Sequence, residues 1–170
     1  ALGRAVYVFS VADSLKRHVV GLGASAEKIK VVGNGVDTER FVNECQVEAR
    51  KRLDLPPDAK VLVTVGGLVE RKGFHRVIEL IPALLEEFPR LYYLVVGGAC
   101  AEGDWRQRLE NQTNELGVRD RVFFTGPVAP DLLRWPLSAS DIFVLPTSNE
   151  GWANVFLEAM ACGLPVVTSD

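Results

Sequence analysis

The sequence predicts an α/β fold with a doubly wound parallel sheet, and three observations carry that prediction. From Lys60 onward, short β-branched runs alternate with longer stretches whose apolar residues recur at helical spacing. The short runs are almost continuously apolar, as strands covered on both faces must be. Gly or Pro bounds each run, and a strand–helix–strand alternation of this kind closes as a parallel sheet with helices on both sides.

The expected strands are KVLVTV (60 to 65), LYYLVV (91 to 96), RVFFT (121 to 125), DIFVL (141 to 145) and PVVTS (165 to 169), all too brief for helices. The expected helices are 74 to 88, 104 to 117, 130 to 140 and 153 to 163, with Pro82 and Pro136 marking a kink or a short break. Gly163 should end the last helix and Pro165 prevent its continuation. The first forty residues repeat the alternation: VYVFS (6 to 10), a helix closed by Gly23, then KIKVVG. After NGVD (34 to 37) the chain becomes more polar, with a helix expected before Pro56 and Pro57, so the best domain boundary separates 1–37 from 38–170.

Composition removes several classes of function. The 170 residues are 48% hydrophobic and carry 19 basic against 22 acidic side chains, with neither sign gathered into a run. A nucleic-acid footprint or a polybasic membrane patch would look different, so no nucleic-acid partner is expected. No apolar segment reaches the length of a membrane span, and the first residues lack a signal-peptide pattern, which makes a cytoplasmic location the expectation. Cys45, Cys100 and Cys162 are widely spaced, and with only His18 and His75 to join them a metal site has little to build on. Free thiols and structural histidines are expected.

In a parallel α/β sheet, ligands bind beyond the carboxyl ends of the strands. The loops there read GGLVERKG (66 to 73), GGACAEG (97 to 103), GPVAP (126 to 130) and PTSNEGWAN (146 to 154). Glycine lets backbone N–H groups approach a phosphate, although it also serves ordinary turns. Neither the P-loop nor the dinucleotide fingerprint fits. Gly67 and Lys72 have the order G-x-x-x-x-K, but the P-loop's second glycine and following Ser or Thr are missing.

A helix starting near Ala153 or Asn154, with Asn154 as its cap, would offer unpaired N–H groups and a positive dipole end to an anion. Glu150 and Glu158 would then flank that anion site from the loop and from one turn inside the helix. Carboxylates only accept hydrogen bonds, and the vicinal hydroxyls of a sugar donate them. The pair thus suits a ligand with phosphate in the middle and a sugar at each end. Spacing alone supports equally a pair of charges placed near a helix terminus with no ligand at all.

The stretch EGWANVFLEAMACGLPVV resembles the E-x7-E signature of retaining glycosyltransferases of the two-domain GT-B fold, group 1 or family 4. VLVTVGGLVERKGFHRVIEL, YLVVGGA and RVFFTGPV resemble successive pieces of that family's Rossmann-like C-terminal, donor-binding domain, and KIKVVGNGVDTERF the segment closing its N-terminal, acceptor-binding domain. The resemblance implies a nucleoside-diphosphate sugar as donor substrate and a hexosyltransferase type of reaction, with no cofactor and no metal. Lys72, neutralising the leaving diphosphate, and Glu150, near the transferred sugar, are the implied catalytic residues. Glu158 would hold the ribose hydroxyls. Gly151 and the N–H groups of Ala153, Asn154 and Val155 would meet the diphosphate and sugar, and backbone at Val128 the base.

Two departures stand out. The arginine that often follows the strand glycine is Gly67 here, so Arg71 or bare N–H groups at Gly66 and Gly67 would have to compensate. Ala153 stands where the signature usually has its second glycine. Most of the acceptor domain and the closing C-terminal elements of the family lie outside these residues. The expectation is therefore 1–37 as the tail of the acceptor domain, 38–170 as an incomplete donor domain, and no turnover by this chain alone. The acceptor, a glycan or a lipid-linked precursor, and any peripheral membrane contact would belong to the N-terminal domain. The alternatives are a non-catalytic nucleotide-sugar-binding domain and a GT-B nucleotide-sugar epimerase.

Overall fold

A computed structural model describes residues 5–148, 150 and 153–169. Two parallel sheets are present. The smaller pairs β1 (Val8–Ser10) with β2 (Ile29–Val31) and carries α1 (Asp13–Gly21). The larger has five strands in the order β5-β4-β3-β6-β7: β3 (Lys60–Val65), β4 (Leu91–Val96), β5 (Val122–Gly126), β6 (Ile142–Leu145) and β7 (Val166–Thr168). All of its pairings are parallel. The order runs outward from β3 to β5 and then returns to β6 on the other side, so the connections diverge between β3 and β6. In a doubly wound sheet that divergence opens a crevice at the strands' carboxyl ends.

Alternation along the strands builds two cores. Val61, Val63, Leu94, Val96, Phe143 and Leu145 face α2 (Gln46–Arg52), α5 (Arg134–Ala139) and α6 (Asn154–Ala161), where Ala49, Leu137 and Ala159 are fully buried. Tyr93 and Val95 face α3 (Phe74–Glu87) and α4 (Arg106–Glu115), against Phe74, Ile78, Ile81 and Leu109. The doubly wound reading is thereby met element by element. Inside the sheet, the Tyr93 hydroxyl donates to Thr64 Oγ1 at 2.7 Å, and Thr64 donates to the Val144 carbonyl. These buried polar groups are mutually satisfied, and they tie β4 to β3 and β6 just below the crevice.

The expected helix over 130–140 is divided. The segment 130–140 is a short 3-10 turn at Pro130–Leu132 followed by α5, which starts only at Arg134. Pro136 falls in the first turn of α5, where its missing N–H is not needed, so it marks a beginning. Pro82 lies inside α3, which continues past it with Val77, Ile78 and Ile81 buried on the sheet. Among the described residues no helix is long and apolar enough to cross a membrane.

One ion pair fixes α2 to the sheet. Arg50, with a side chain only 5% exposed, donates to Asp141 Oδ2 at 2.9 Å and to the carbonyls of Ala139 and Pro57. The same carboxylate oxygen accepts the Val61 N–H at 2.7 Å, joining the start of β3 to the residue that precedes β6. Removing one partner of such a pair strands a buried charge. Arg50→Ala is expected to destabilise the fold by about 3 kcal/mol, read by urea denaturation with an unchanged m-value.

Candidate functional site

The loops after β3, β4, β5 and β6 meet edge to edge, and glycines make that possible. Gly97 has φ +141°, and a Cβ there would fall 1.8 Å from the Gly66 carbonyl oxygen. A Cβ at Gly98 would sit 2.8 Å from the ring of Pro127, which immediately precedes Val128. On the far side, Gly73 has φ +72°, and a Cβ would lie 2.2 Å from the Pro146 carbonyl oxygen. A continuous rim therefore runs from Val128 past Gly66 and Gly67 to Lys72 and on to Glu150.

Two cations and two carboxylates gather where β3 and β6 diverge. Residues 70–72 form a 3-10 turn ahead of α3, and the Ser148 N–H donates to the Arg71 carbonyl at 2.8 Å, so the β3 and β6 loops are joined through backbone. Lys72 Nζ forms an ion pair with Glu150 Oε1; their side chains are 12% and 17% exposed. Arg71 Nη1 donates to the same oxygen at 2.7 Å. Arg71 Nε and Nη2 donate to the two oxygens of Glu102, both at 2.6 Å. The proton on Arg71 is held more tightly than usual, chiefly through Glu102, and the Glu102 carboxyl is held below the usual carboxylate range by Arg71.

The structure brings Arg71, Lys72 and Glu150, all expected at the site, into contact. The sequence reading placed Glu150 beside the anion site without occupying it, whereas Glu150 pairs with both cations that an anion would need. Glu102 was not singled out. It lies in the glycine-bounded loop after β4, but a lone carboxylate without a spacing signature gives the sequence nothing to flag.

Helix α6 starts at Asn154, four residues after Glu150. Ala153, not Asn154, is its N-cap, in extended conformation and with no side-chain cap bond. Asn154 is the first helical residue, and its side-chain oxygen accepts a hydrogen bond from Asn34 Nδ2, which joins the segment after β2 to the start of α6. The cap assignment is thus corrected: a tertiary partner takes the oxygen that would have bent back on the helix. The first N–H groups of a helix have no intrahelical acceptor, and the cap residue Ala153 has no side-chain oxygen to offer them. Gly151 lies outside the described residues, and so does Trp152.

Glu158 stands one turn into α6, half-buried. Burial raises its pKa, opposed by the charge of Arg40. Next to it, the buried Cys162 thiol is pushed up to about 11, first by burial and then by the Glu158 charge, so it stays protonated and inert. Cys45 and Cys100 are exposed free thiols. Among the described residues no group of three or more His, Cys, Asp or Glu side chains is placed to hold a metal ion.

The sequence profile described as Glycosyl transferases group 1 matches residues 46–170. The chain belongs to that family. It is 36% identical over 167 residues to an uncharacterised glycosyltransferase of Methanocaldococcus jannaschii, covering 95% of this chain and 42% of that protein. It is 38% identical over 155 residues to the lipopolysaccharide core biosynthesis glycosyltransferase LpsE of Rhizobium meliloti, covering 91% of this chain and 41% of that one. The crystal structure of Anabaena HepE in complex with UDP and glucose superposes with a TM-score of 0.84 at 28% identity, over 96% of this chain and 44% of that one. The chain spans about two fifths of the length of these glycosyltransferases. Its fold is the Rossmann-like domain of the GT-B class.

Two outcomes follow from this geometry. Gly73→Ala meets both a left-handed backbone and a backbone oxygen where its methyl would go, so it is expected to lose about 2–4 kcal/mol in chemical denaturation. Glu158 has a folded pKa above its unfolded one, so its contribution to stability is complete at low pH and lost as pH rises through the folded value. Glu158→Gln should therefore raise Tm near neutral pH, and the gain should vanish as the pH falls below the carboxylate range, checked by thermal denaturation across pH.

Proposed function

We propose that residues 38–170 form the donor half of a retaining glycosyltransferase, binding a nucleoside-diphosphate sugar in the crevice between the β3 and β6 loops. Residues 1–37 are then the tail of the acceptor-binding domain. The observation that carries this reading is the meeting of Lys72 and Arg71 on Glu150 where the β3 and β6 loops join, with Glu150 four residues ahead of the start of α6 and Glu158 one turn inside it. Lys72, Arg71 and the helix N-terminus supply positive charge for a diphosphate without a metal ion. Glu158, held half-buried at a cost to stability, accepts from the ribose hydroxyls. Gly66 and Gly67 let backbone approach the phosphates, and the Val128 backbone meets the base at the other end of the rim.

In the transfer, the bond between the sugar's anomeric carbon and the diphosphate oxygen breaks, and an acceptor hydroxyl takes the sugar and passes its proton to the leaving diphosphate oxygen. The leaving diphosphate gains negative charge as that bond opens, and this is where Lys72 acts. Glu150 must release Lys72 and Arg71 to let them do so, and it is then positioned beside the transferred sugar. The UDP and glucose held by Anabaena HepE support a nucleotide-sugar donor. LpsE, by its name a core lipopolysaccharide enzyme, supports a glycan or lipid-linked acceptor; meeting it through the N-terminal domain, at the cytoplasmic side of a membrane, belongs to the same proposal. A non-catalytic nucleotide-sugar-binding role draws support from Gly67, where a Cβ would lie 2.8 Å from Cys100 Sγ, so this position has no room for a cationic side chain unless the β4 loop shifts.

Calorimetric titration with UDP, GDP and ADP tests the reading. One nucleotide should bind, and Glu158→Ala should weaken it by about 10- to 100-fold through loss of charge-assisted hydrogen bonds to the ribose. Failure of all three nucleotides with folded protein, or binding indifferent to Glu158→Ala, would sink it.

A further inference from the structure

The Arg71 guanidinium is shared between carboxylates of two different loops. Glu102 takes its Nε and Nη2 edge, and Glu150 takes Nη1 together with Lys72. Within this group two positive and two negative side chains are paired, which weakens their pull on an arriving diphosphate. The same two-point fork that holds a carboxylate is the one that would hold a phosphate. One edge of Arg71 cannot serve both.

Glu102 is held for this contact by its loop. Cys100 and Gly103 exchange backbone hydrogen bonds at 2.9 and 3.0 Å, closing a tight turn with Glu102 inside it. The Cys100 side chain anchors that turn against Gly67, which has room for it because it lacks a side chain. The Glu102 side chain itself is 51% exposed, so it can leave Arg71 for water.

Resting on the donor-binding reading above, we propose that Glu102 is a built-in counter-ion that competes with the donor's diphosphate for Arg71 and so sets how tightly the site holds it. The carboxylate keeps Arg71 extended toward the crevice in the empty protein and is exchanged for phosphate oxygens on binding. Neutralising it weakens its hold on Arg71, which should strengthen diphosphate binding while leaving an acceptor for Arg71.

The test is titration of the chain and its Glu102→Gln, Arg71→Ala and double variants with inorganic pyrophosphate and with UDP, GDP and ADP, amide spectra verifying the fold of each. Glu102→Gln should bind pyrophosphate and the preferred nucleotide about two- to fivefold more tightly at low salt, with the gain shrinking at about 0.5 M salt. The gain should disappear in the Arg71→Ala background, because the effect is a coupling between the two side chains. Unchanged or weaker binding by Glu102→Gln, or an equal gain without Arg71, overturns the proposal. Pyrophosphate binding with the expected pattern but no added affinity from any nucleoside leaves the role of Glu102 standing and defeats the nucleotide-sugar reading. Absence of any anion binding by the chain and by Glu102→Gln overturns both.

Discussion

The backbone of Gly73 passes so close to the Pro146 carbonyl that no side chain fits between them, and the site depends on that contact. It presses the loop after β3 against the loop after β6 at the point where the sheet's connections diverge. The bond from Ser148 to the Arg71 carbonyl then fixes their register. Lys72 and Glu150 are 78 residues apart in sequence and meet only because these loops touch. The pairing of β3 with β6 beneath them, with Thr64, Tyr93 and Val144 hydrogen-bonded across three strands, gives the loops a rigid base. At the other end of the same two strands, Arg50 and Asp141 lock α2 and the strand starts, so neither strand can slide without exposing a buried charge.

The chemistry is spread over charges that the fold keeps in tension. Glu158 is kept half-buried although burial disfavours its ionised form, and Arg40 only partly offsets that. Cations that would be free to seize any anion are instead occupied by Glu102 and Glu150. On the proposed reading, a diphosphate must displace these carboxylates to reach Arg71 and Lys72.

The sheet was legible because its strands are buried on both faces and therefore nearly all apolar, and because glycine and proline mark where each loop begins. Arg71, Lys72, Glu150 and Glu158 were legible as charges in glycine-bounded loops or inside an apolar helix, where a charge needs a reason. What the sequence hid were contacts between distant segments. Nothing near Asn154 tells that Asn34 claims its side chain, so a local capping preference was read where a tertiary bond prevails. Pro136 was read as a helix break because sequence alone does not reveal that α5 starts only two residues before it. Glu102 was passed over because its importance comes wholly from Arg71, which approaches it from another strand.

The central claim is that one crevice, between the β3 and β6 loops and the start of α6, holds the phosphates of a nucleotide. Mapping of amide chemical shifts during titration with UDP, GDP or ADP tests it most directly. The largest shifts are expected at Gly66, Gly67, Lys72 and Ala153 to Val155, with a smaller set near Val128 where the base would rest. Shifts concentrated elsewhere, such as the acidic groove between α3 and α4 lined by Glu79, Asp104 and Glu115, with these loops unmoved, would contradict it.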